Sequence, residues 1–267
     1  NTILGEGFAM NLFDLTGKVA LVTGGNGGIG IGMAEGLAQQ GATVIIWGTN
    51  ADKNAAAVEK LGAHGGIVRS DVVDVSDEAA VKAGIADILG EFGRLDQAIA
   101  NAGIGQSRRD MFDISLEDFR RLEDINVHGV FFTLREAARH MKERHANGDA
   151  GGSLVAVAST AAIHGAARNE HYGATKGAVV SMIRAMAVEL GRYAITANSI
   201  CPGWIRSDMT AGAQGAPKFN EKVISRVPVG GWGDGADFAG IAVYLASRAS
   251  RYHTGDSFVI DGGYTIF

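Results

Sequence analysis

Tyr172 and Lys176 lie four residues apart in the run Tyr172-Gly173-Ala174-Thr175-Lys176, a spacing that puts a phenol and an ammonium on one face of a helix. The chemistry open to such a pair is proton transfer. A phenol with a pKa of about 10 is a poor base until a neighbouring cation favours its phenolate, and Lys176 would be that cation. Taken alone, Tyr-x-x-x-Lys is common and usually marks a surface pair. A second run, Thr23-Gly24-Gly25-Asn26-Gly27-Gly28-Ile29-Gly30, leads into a helix-patterned segment that ends at Gly41. Its glycines let the backbone approach a pyrophosphate while the helix N-terminus supplies amide donors and positive potential. Without a ligand the same run is simply a tight turn.

Both runs need elements to hold them. Short apolar stretches rich in Val, Ile and Ala recur at 18–23, 42–47, 66–73, 95–101 and 152–159, with helix-patterned segments between them. Continuous rather than alternating apolarity predicts strands buried on both faces. Two later stretches, 194–201 and 256–260, bring the count to about seven. The alternation predicts an α/β fold: a Rossmann-type, doubly wound parallel sheet with helices on both faces. Ser76 is placed to cap a helix running to about residue 92, and Ser115 with Asp118 forms a capping-box pattern that opens another. Neither the abundant glycines nor the few prolines cluster into a linker, so residues 10–267 read as a single domain. The least patterned stretch, 208–228, is longer than an ordinary connection and reads as a lid over a site.

The spacing Thr-Gly-x-x-x-Gly-Ile-Gly differs from the commoner dinucleotide fingerprint. It is followed, in order, by Asn101-Ala102-Gly103, Asn126, Ser159, Tyr172, Lys176 and Pro202-Gly203. On these residues the chain resembles the short-chain dehydrogenase/reductase family, over nearly its whole length from Leu15 to Tyr264, including Val259-Ile260-Asp261-Gly262-Gly263. It is most similar to the single-domain ketoacyl-carrier-protein reductases and sugar or polyol dehydrogenases. The resemblance implies an NAD(P)-dependent oxidoreductase that moves a hydride between nicotinamide and the alcohol or ketone carbon of a small substrate. It casts Tyr172 as general acid/base, with Lys176 lowering its pKa and binding ribose hydroxyls. Ser159 would hold the reacting oxygen, and Asn126 a water linked to the lysine. The plainer role for Asn126 is a buried amide that satisfies backbone groups.

The resemblance also assigns cofactor contacts. They are Gly24, Asn26, Gly28, Ile29 and Gly30 in the turn, Thr49 and Asn50 after the second strand, and Asp74 and Val75 after the third. Further contacts fall on Asn101, Ala102 and Gly103, on Tyr172 and Lys176, and on Pro202, Gly203, Ile205 and Ser207. Asp74 would accept from the adenine amino group, though a turn aspartate is the bland alternative. Ala100 stands where the family often has a second asparagine, and Ser207 where it usually has threonine. An acidic residue after the second strand favours NAD and an arginine favours NADP; Gly48 and Thr49 are neither. The glycine turn also lacks a cation, so the chain leans to NAD, with Lys53 near enough in sequence to compensate. Substrate contacts are expected from Gln106, His164, Trp204 and Met209, beside Gly105 and the lid, although His164 is equally a loop histidine without a role.

Composition removes other classes. The formal net charge is -5 and no basic block is long enough to track a phosphate backbone, which argues against nucleic acid. Cys201 is the only cysteine and no Cys/His cluster has zinc-ligand spacing, so neither a disulfide nor a metal is expected, and a reducing cytoplasm fits. Residues 1–9, ahead of Met10, lack the marks of a signal peptide and read as a tag-like leader. No run of about eighteen apolar residues suggests a membrane span. The resemblance implies a homotetramer. Two alternatives stay open: a non-catalytic dinucleotide-binding sensor or scaffold, and a 3-ketoacyl thioester substrate whose acidic carrier could meet Arg108 and Arg109.

Overall fold

Seven parallel strands are flanked by helices on both faces in the computed structural model, which describes residues 11–267; residues 1–9, read from the sequence as a tag-like leader, lie outside the described residues. The strands are β1 (Val19–Thr23), β2 (Thr43–Gly48), β3 (Val68–Val72), β4 (Gln97–Ala100), β5 (Gly152–Val157), β6 (Ile195–Pro202) and β7 (Ser257–Ile260). Their order across the sheet is β3-β2-β1-β4-β5-β6-β7, so the chain reverses its winding direction between β1 and β4. Clefts at the carboxyl ends of strands form at such a reversal.

The helices are α1 (Gly28–Gln39), α2 (Ala51–Gly62), α3 (Glu78–Phe92), α4 (Leu116–Glu123), α5 (Val130–Ala146), α6 (Glu170–Leu190), α7 (Ala211–Gln214), α8 (Pro217–Ile224) and α9 (Ala239–Ala246). One core joins the sheet to α3, α5 and α6 through Ile85, Ile88, Leu134, Met141, Val179 and Ile183. The other joins it to α1, α2 and α9 through Met33, Leu37, Leu61, Phe238, Ala242 and Leu245. β1 is wholly buried, as its apolar run predicts. The edge strands differ: β3 is only partly covered, with Val72 exposed, and so is β7, each having one neighbouring strand.

Close approach fixes α1. A Cβ on Gly32 would stand 1.9 Å from the Gly235 carbonyl oxygen, so this helix can lie against the turn that opens α9 only without a side chain there. The helix after β3 is capped by Asp77, whose carboxylate accepts from the amides of Ala79 and Ala80, and not by Ser76. Ser76 fails as the cap because its hydroxyl donates to Asp74 (2.7 Å). The Ser115–Asp118 capping box is present at α4. Residues 208–228, expected as an unpatterned lid, fold into a 3₁₀ turn, α7 and α8 over a small core of Val223, Val227, Trp232 and Tyr264. Among the described residues no helix is long and apolar enough to cross a membrane.

Candidate active site

The end of β4 is stapled to the glycine turn. Thr23 Oγ1 accepts from the amides of Asn101 and Ala102, both at 3.0 Å, and Asn101 Nδ2 donates to the carbonyls of Thr23 (2.9 Å) and Gly24 (3.1 Å). Asn101 thus holds the turn open. Gly24 and Gly28 have φ of +63° and +51°, in the left-handed region, and a Cβ on Gly30 would stand 2.1 Å from the Gly24 carbonyl. No side chain caps α1, and a Cβ on its N-cap residue, Gly27, would meet nothing within 4 Å. First-turn amides that lack a side-chain acceptor and face open space suit a phosphate-bearing ligand, so the turn fits the dinucleotide expected from the sequence.

The remaining predicted cofactor residues divide by what they already hold. Ser207 comes to the glycine turn, its Cβ 3.1 Å from where a Cβ on Gly28 would be. Pro202 ends β6, Ile205 forms an isolated bridge with Gly233, and Gly203 packs so closely on Asp261 that a Cβ would fall 2.5 Å from it. The Asn26 amide donates to Asn54 Oδ1 (2.6 Å) across the end of β2. Asn50 caps α2 by accepting from the Lys53 amide, while Thr49 is exposed. Asp74 Oδ1 accepts from the Ser76 amide and hydroxyl, and Val75 packs against Gly129.

Asn126, Ser159, Tyr172 and Lys176 converge beyond the ends of β4 and β5. Asn126 sits fully buried in a π-helical turn (Asp124–Gly129) between α4 and α5, a widened turn of the kind often found at functional sites. Its side chain accepts from the Ile104 amide and donates to the Ile104 carbonyl, both at 2.9 Å, and donates to Thr175 Oγ1 (3.3 Å). In the protein alone it therefore does the backbone-satisfying work, and a water relay would be an addition to that. A Cβ on Gly103 would lie 3.1 Å from Asn126 Oδ1 and 3.4 Å from Lys176 Nζ, which puts the two side chains on one small space.

Lys176 Nζ donates to the Val157 carbonyl (2.9 Å) and lies 5.7 Å from the Tyr172 ring centroid. Burial lowers its pKa to about 8. Burial also raises the Tyr172 phenol above its ordinary value, and the Ser159 hydrogen bond is what opposes this. In the free protein desolvation of the phenolate prevails over the lowering expected from Lys176, and the ammonium suffers the same desolvation. Cys201 shares this interior; burial pushes its thiol up, with the Ser159 backbone and the Lys176 charge pulling it down.

Of the residues expected at the substrate, Met209 comes nearest to Tyr172 through Gly105. A Cβ on Gly105 would stand 3.0 Å from Met209 Sδ and 3.9 Å from Tyr172 Cε2, so the three meet at one mouth. Gln106, with its amide oriented to accept, bonds Arg108 (2.6 Å), and Arg108 is clamped to Asp118 through two guanidinium nitrogens. Trp204 packs edge-on against Phe219, Trp232 and Tyr264 at 5.1, 5.6 and 6.2 Å. His164 lies 5.8 Å from Tyr264, with Nε2 buried and unpartnered. Sequence reasoning assigned no role of their own to Thr23, Ile104 and Thr175, which act through hydrogen bonds to residues distant in the chain. Thr175 was printed in the Tyr-Lys run itself, and its hydroxyl ties the Tyr172 carbonyl to Asn126.

Comparison with known proteins bears on the whole arrangement. Residues 24–265 match the family model described as enoyl-(acyl carrier protein) reductase. Gluconate 5-dehydrogenase of Gluconobacter oxydans is 37% identical over 256 residues, which are 96% of this chain and 98% of that protein. A short-chain type dehydrogenase/reductase from Mycobacterium marinum superposes with a TM-score of 0.89 at 36% identity, covering 96% of this chain and 98% of the other. A gluconate 5-dehydrogenase from Burkholderia cenocepacia, solved in complex with NADP and tartrate, gives 0.90 at 31% identity, with 97% and 100% covered.

Proposed function

Because the chain belongs to the short-chain dehydrogenase/reductase family, whose members here are oxidoreductases of alcohol and ketone groups, we propose that Tyr172 is its proton-transfer residue and a small secondary alcohol or ketone its substrate. The observation that carries this reading is the meeting of Ser159, Tyr172 and Lys176 beside an uncapped α1. A nicotinamide dinucleotide, when bound, supplies or accepts the hydride. The first-turn amides of α1 would hold its phosphates, and Asp74, Asn101 to Gly103 and Ile205 to Ser207 would line its course. In reduction, Ser159 donates a hydrogen bond to the ketone oxygen and polarises the carbonyl, and Tyr172 then gives its proton to that oxygen. In oxidation Tyr172 takes the alcohol proton. Lys176, held on the Val157 carbonyl, favours the phenolate as it forms.

The mouth formed by Gly105 and Met209 is apolar, and Arg108 is committed to Asp118, so the wall presents no free cation from that residue. A small neutral substrate fits this wall better than a carboxylate. The carrier-bound thioester reading loses Arg108 as a docking residue for the same reason. Exposed Met111, Phe112 and Leu116 around the start of α4 offer apolar surface to the homotetramer expected from the resemblance. The test is a panel of secondary alcohols and ketones with NAD(H) and NADP(H), run on wild type and Tyr172→Phe. Turnover should fall by about 10²–10⁴-fold in the variant with cofactor binding kept. A variant that turns over like wild type excludes Tyr172, and no turnover with any compound returns the chain to the non-catalytic reading.

A further inference from the structure

The sequence leans to NAD because neither the glycine turn nor the end of β2 carries a cation. The structure changes what stands there. A Cβ on Gly48 would fall 2.2 Å from Asn26 Nδ2 and 2.5 Å from Asn54 Oδ1, so the hydrogen-bonded pair of amides fills the space a carboxylate at that position would use. Asn54 is buried and is pinned further by donating to the carbonyls of Gly48 and Asp71. Asp71 itself is held by Arg69 and the Trp47 indole. No carboxylate from the strand ends is thus presented to a ribose 2′-hydroxyl, the interaction that selects NAD.

Beside this amide pair opens a cleft of about 470 Å³ lined by Asn26, Gly27, Gly28, Lys53, Arg206 and Asp208, among others. Three cations border it, and each has a carboxylate partner. Lys60 pairs with Glu35 on α1, and Arg206 with Asp234, in the turn packed on α1. Lys53 alone pairs with the lid: its Nζ lies 2.6 Å from Asp208 Oδ2, the first residue of the 3₁₀ turn that also carries Met209. The Asp208 side chain is 90% exposed and that of Lys53 56%, so this bond crosses water-accessible space and is readily exchanged. Asp52 is the one acidic group in the first turn of α2 itself.

We infer that Lys53 is the residue through which this chain reads the 2′-phosphate of NADP, and that Asp208 occupies it in the free protein. A dinucleotide lying on the glycine turn brings its adenine ribose to the end of β2, where Lys53 is the cation with the most exposed partner, Asp208 at 90% against 58% for Asp234 and 24% for Glu35. A phosphate dianion then replaces one exposed carboxylate on Lys53. The lid's first turn loses its tie to α2 in the same event, one residue from the methionine that faces Tyr172. Phosphorylated cofactor would therefore both be preferred and release the lid. This rests on the dinucleotide-binding reading above.

The test is equilibrium titration with NADPH and NADH, followed by nicotinamide fluorescence, and with 2′,5′-ADP and 5′-AMP by calorimetry. Wild type should bind NADPH about tenfold or more tightly than NADH, and 2′,5′-ADP more tightly than 5′-AMP. Lys53→Met should erase both differences while leaving NADH and 5′-AMP affinity in place. Asp208→Asn should tighten NADPH several-fold and leave NADH unchanged. Lys60→Met, altering a cation of the same cleft, should keep the NADPH preference. Equal or tighter NADH binding by wild type overturns the inference, as does equal weakening of both cofactors in Lys53→Met. An unchanged NADPH affinity in Asp208→Asn overturns the restraint by Asp208. Binding of none of the four ligands by wild type overturns the dinucleotide reading itself, which separates the two failures.

Discussion

Lys176 places its ammonium 5.7 Å from the ring centroid of Tyr172 and spends a hydrogen bond on the Val157 carbonyl, so the cation is fixed by strand β5 before any ligand arrives. Lys176 is buried and Tyr172 partly so, and burial disfavours the charged form of each. The resting pair therefore starts with a protonated phenol. A protonated phenol is the correct reagent for reduction and the wrong one for oxidation.

That asymmetry sets a pH dependence. The kcat/KM for ketone reduction should be nearly flat from pH 6 to 8, since Tyr172 stays protonated throughout. For alcohol oxidation it should climb with pH, at most about tenfold per unit, as the raised phenol begins to ionise. Initial rates in both directions across pH 6 to 9 measure this. Oxidation that is fastest in acid would mean that Tyr172 does not take the proton.

Lys176 also makes stability depend on pH. Its folded pKa, about 8, lies below the 10.5 of the free side chain, so between those values the unfolded chain binds more protons. Stability should then rise with pH through that window; below about pH 8 the burial penalty is fully present. Cys201 and Tyr172, both shifted upward, begin to oppose the trend above about pH 9 and 10. Chemical denaturation from pH 8 to 9 should show wild type gaining about 1 kcal/mol relative to Lys176→Met. Parallel curves for the two proteins would place the lysine in contact with water.

The glycines separate two kinds of close approach. At Gly30 an added methyl would strike the Gly24 carbonyl at 2.1 Å, backbone against backbone, so Gly30→Ala should abolish NAD(P)H binding with the rest of the fold intact. At Gly105 the neighbour is Met209 Sδ at 3.0 Å, the far end of a flexible side chain. Gly105→Ala should keep kcat for the smallest ketones and raise KM several-fold for bulky ones. Titration and a substrate series distinguish them, and a Gly105→Ala enzyme indifferent to substrate size would remove Gly105 and Met209 from the mouth.

How much of this was legible depended on range. Strand positions were readable to within a residue or two because burial on both faces writes continuous apolar runs, as in β1 and β2. Asn126, Ser159, Tyr172 and Lys176 were picked out together by the family resemblance, and the fold brings them together. What could not be read was competition between neighbours. Ser76 gave up its cap because Asp74 lay two residues away, and the Asn26 amide donates to Asn54, 28 residues on. The direction of the Tyr172 shift was likewise hidden, since spacing places Lys176 nearby without saying how dry the site is. Met209 and Gln106 were both expected at the substrate; Met209 comes to Gly105 near Tyr172, while the Gln106 amide oxygen accepts from Arg108, a competition that spacing does not show.

Asp96 anchors the opposite end of the sheet, and its loss should be felt throughout. One buried carboxylate accepts from the Val19 amide (2.9 Å), from Arg94 through two nitrogens, from Lys18 (3.3 Å) and from Arg144 of α5 (3.2 Å). Burial alone would raise its pKa, but these donors prevail and hold it at about 2. With a folded pKa below the unfolded 3.8, the stabilisation is complete above about pH 4 and is lost as pH falls toward 2. At neutral pH Asp96→Asn should cost about 2 kcal/mol or more, because the amide cannot accept from every donor and leaves Arg144 beside a neutral group. The variant should also show a flatter loss of stability between pH 4 and 2. Denaturation at pH 7 and at pH 3 tests both parts. If Asp96→Asn matches wild type at pH 7, the bonds that join β1, β4 and α5 contribute nothing to stability. If it is weaker at pH 7 yet equally acid-sensitive, the acid limb belongs to other carboxylates.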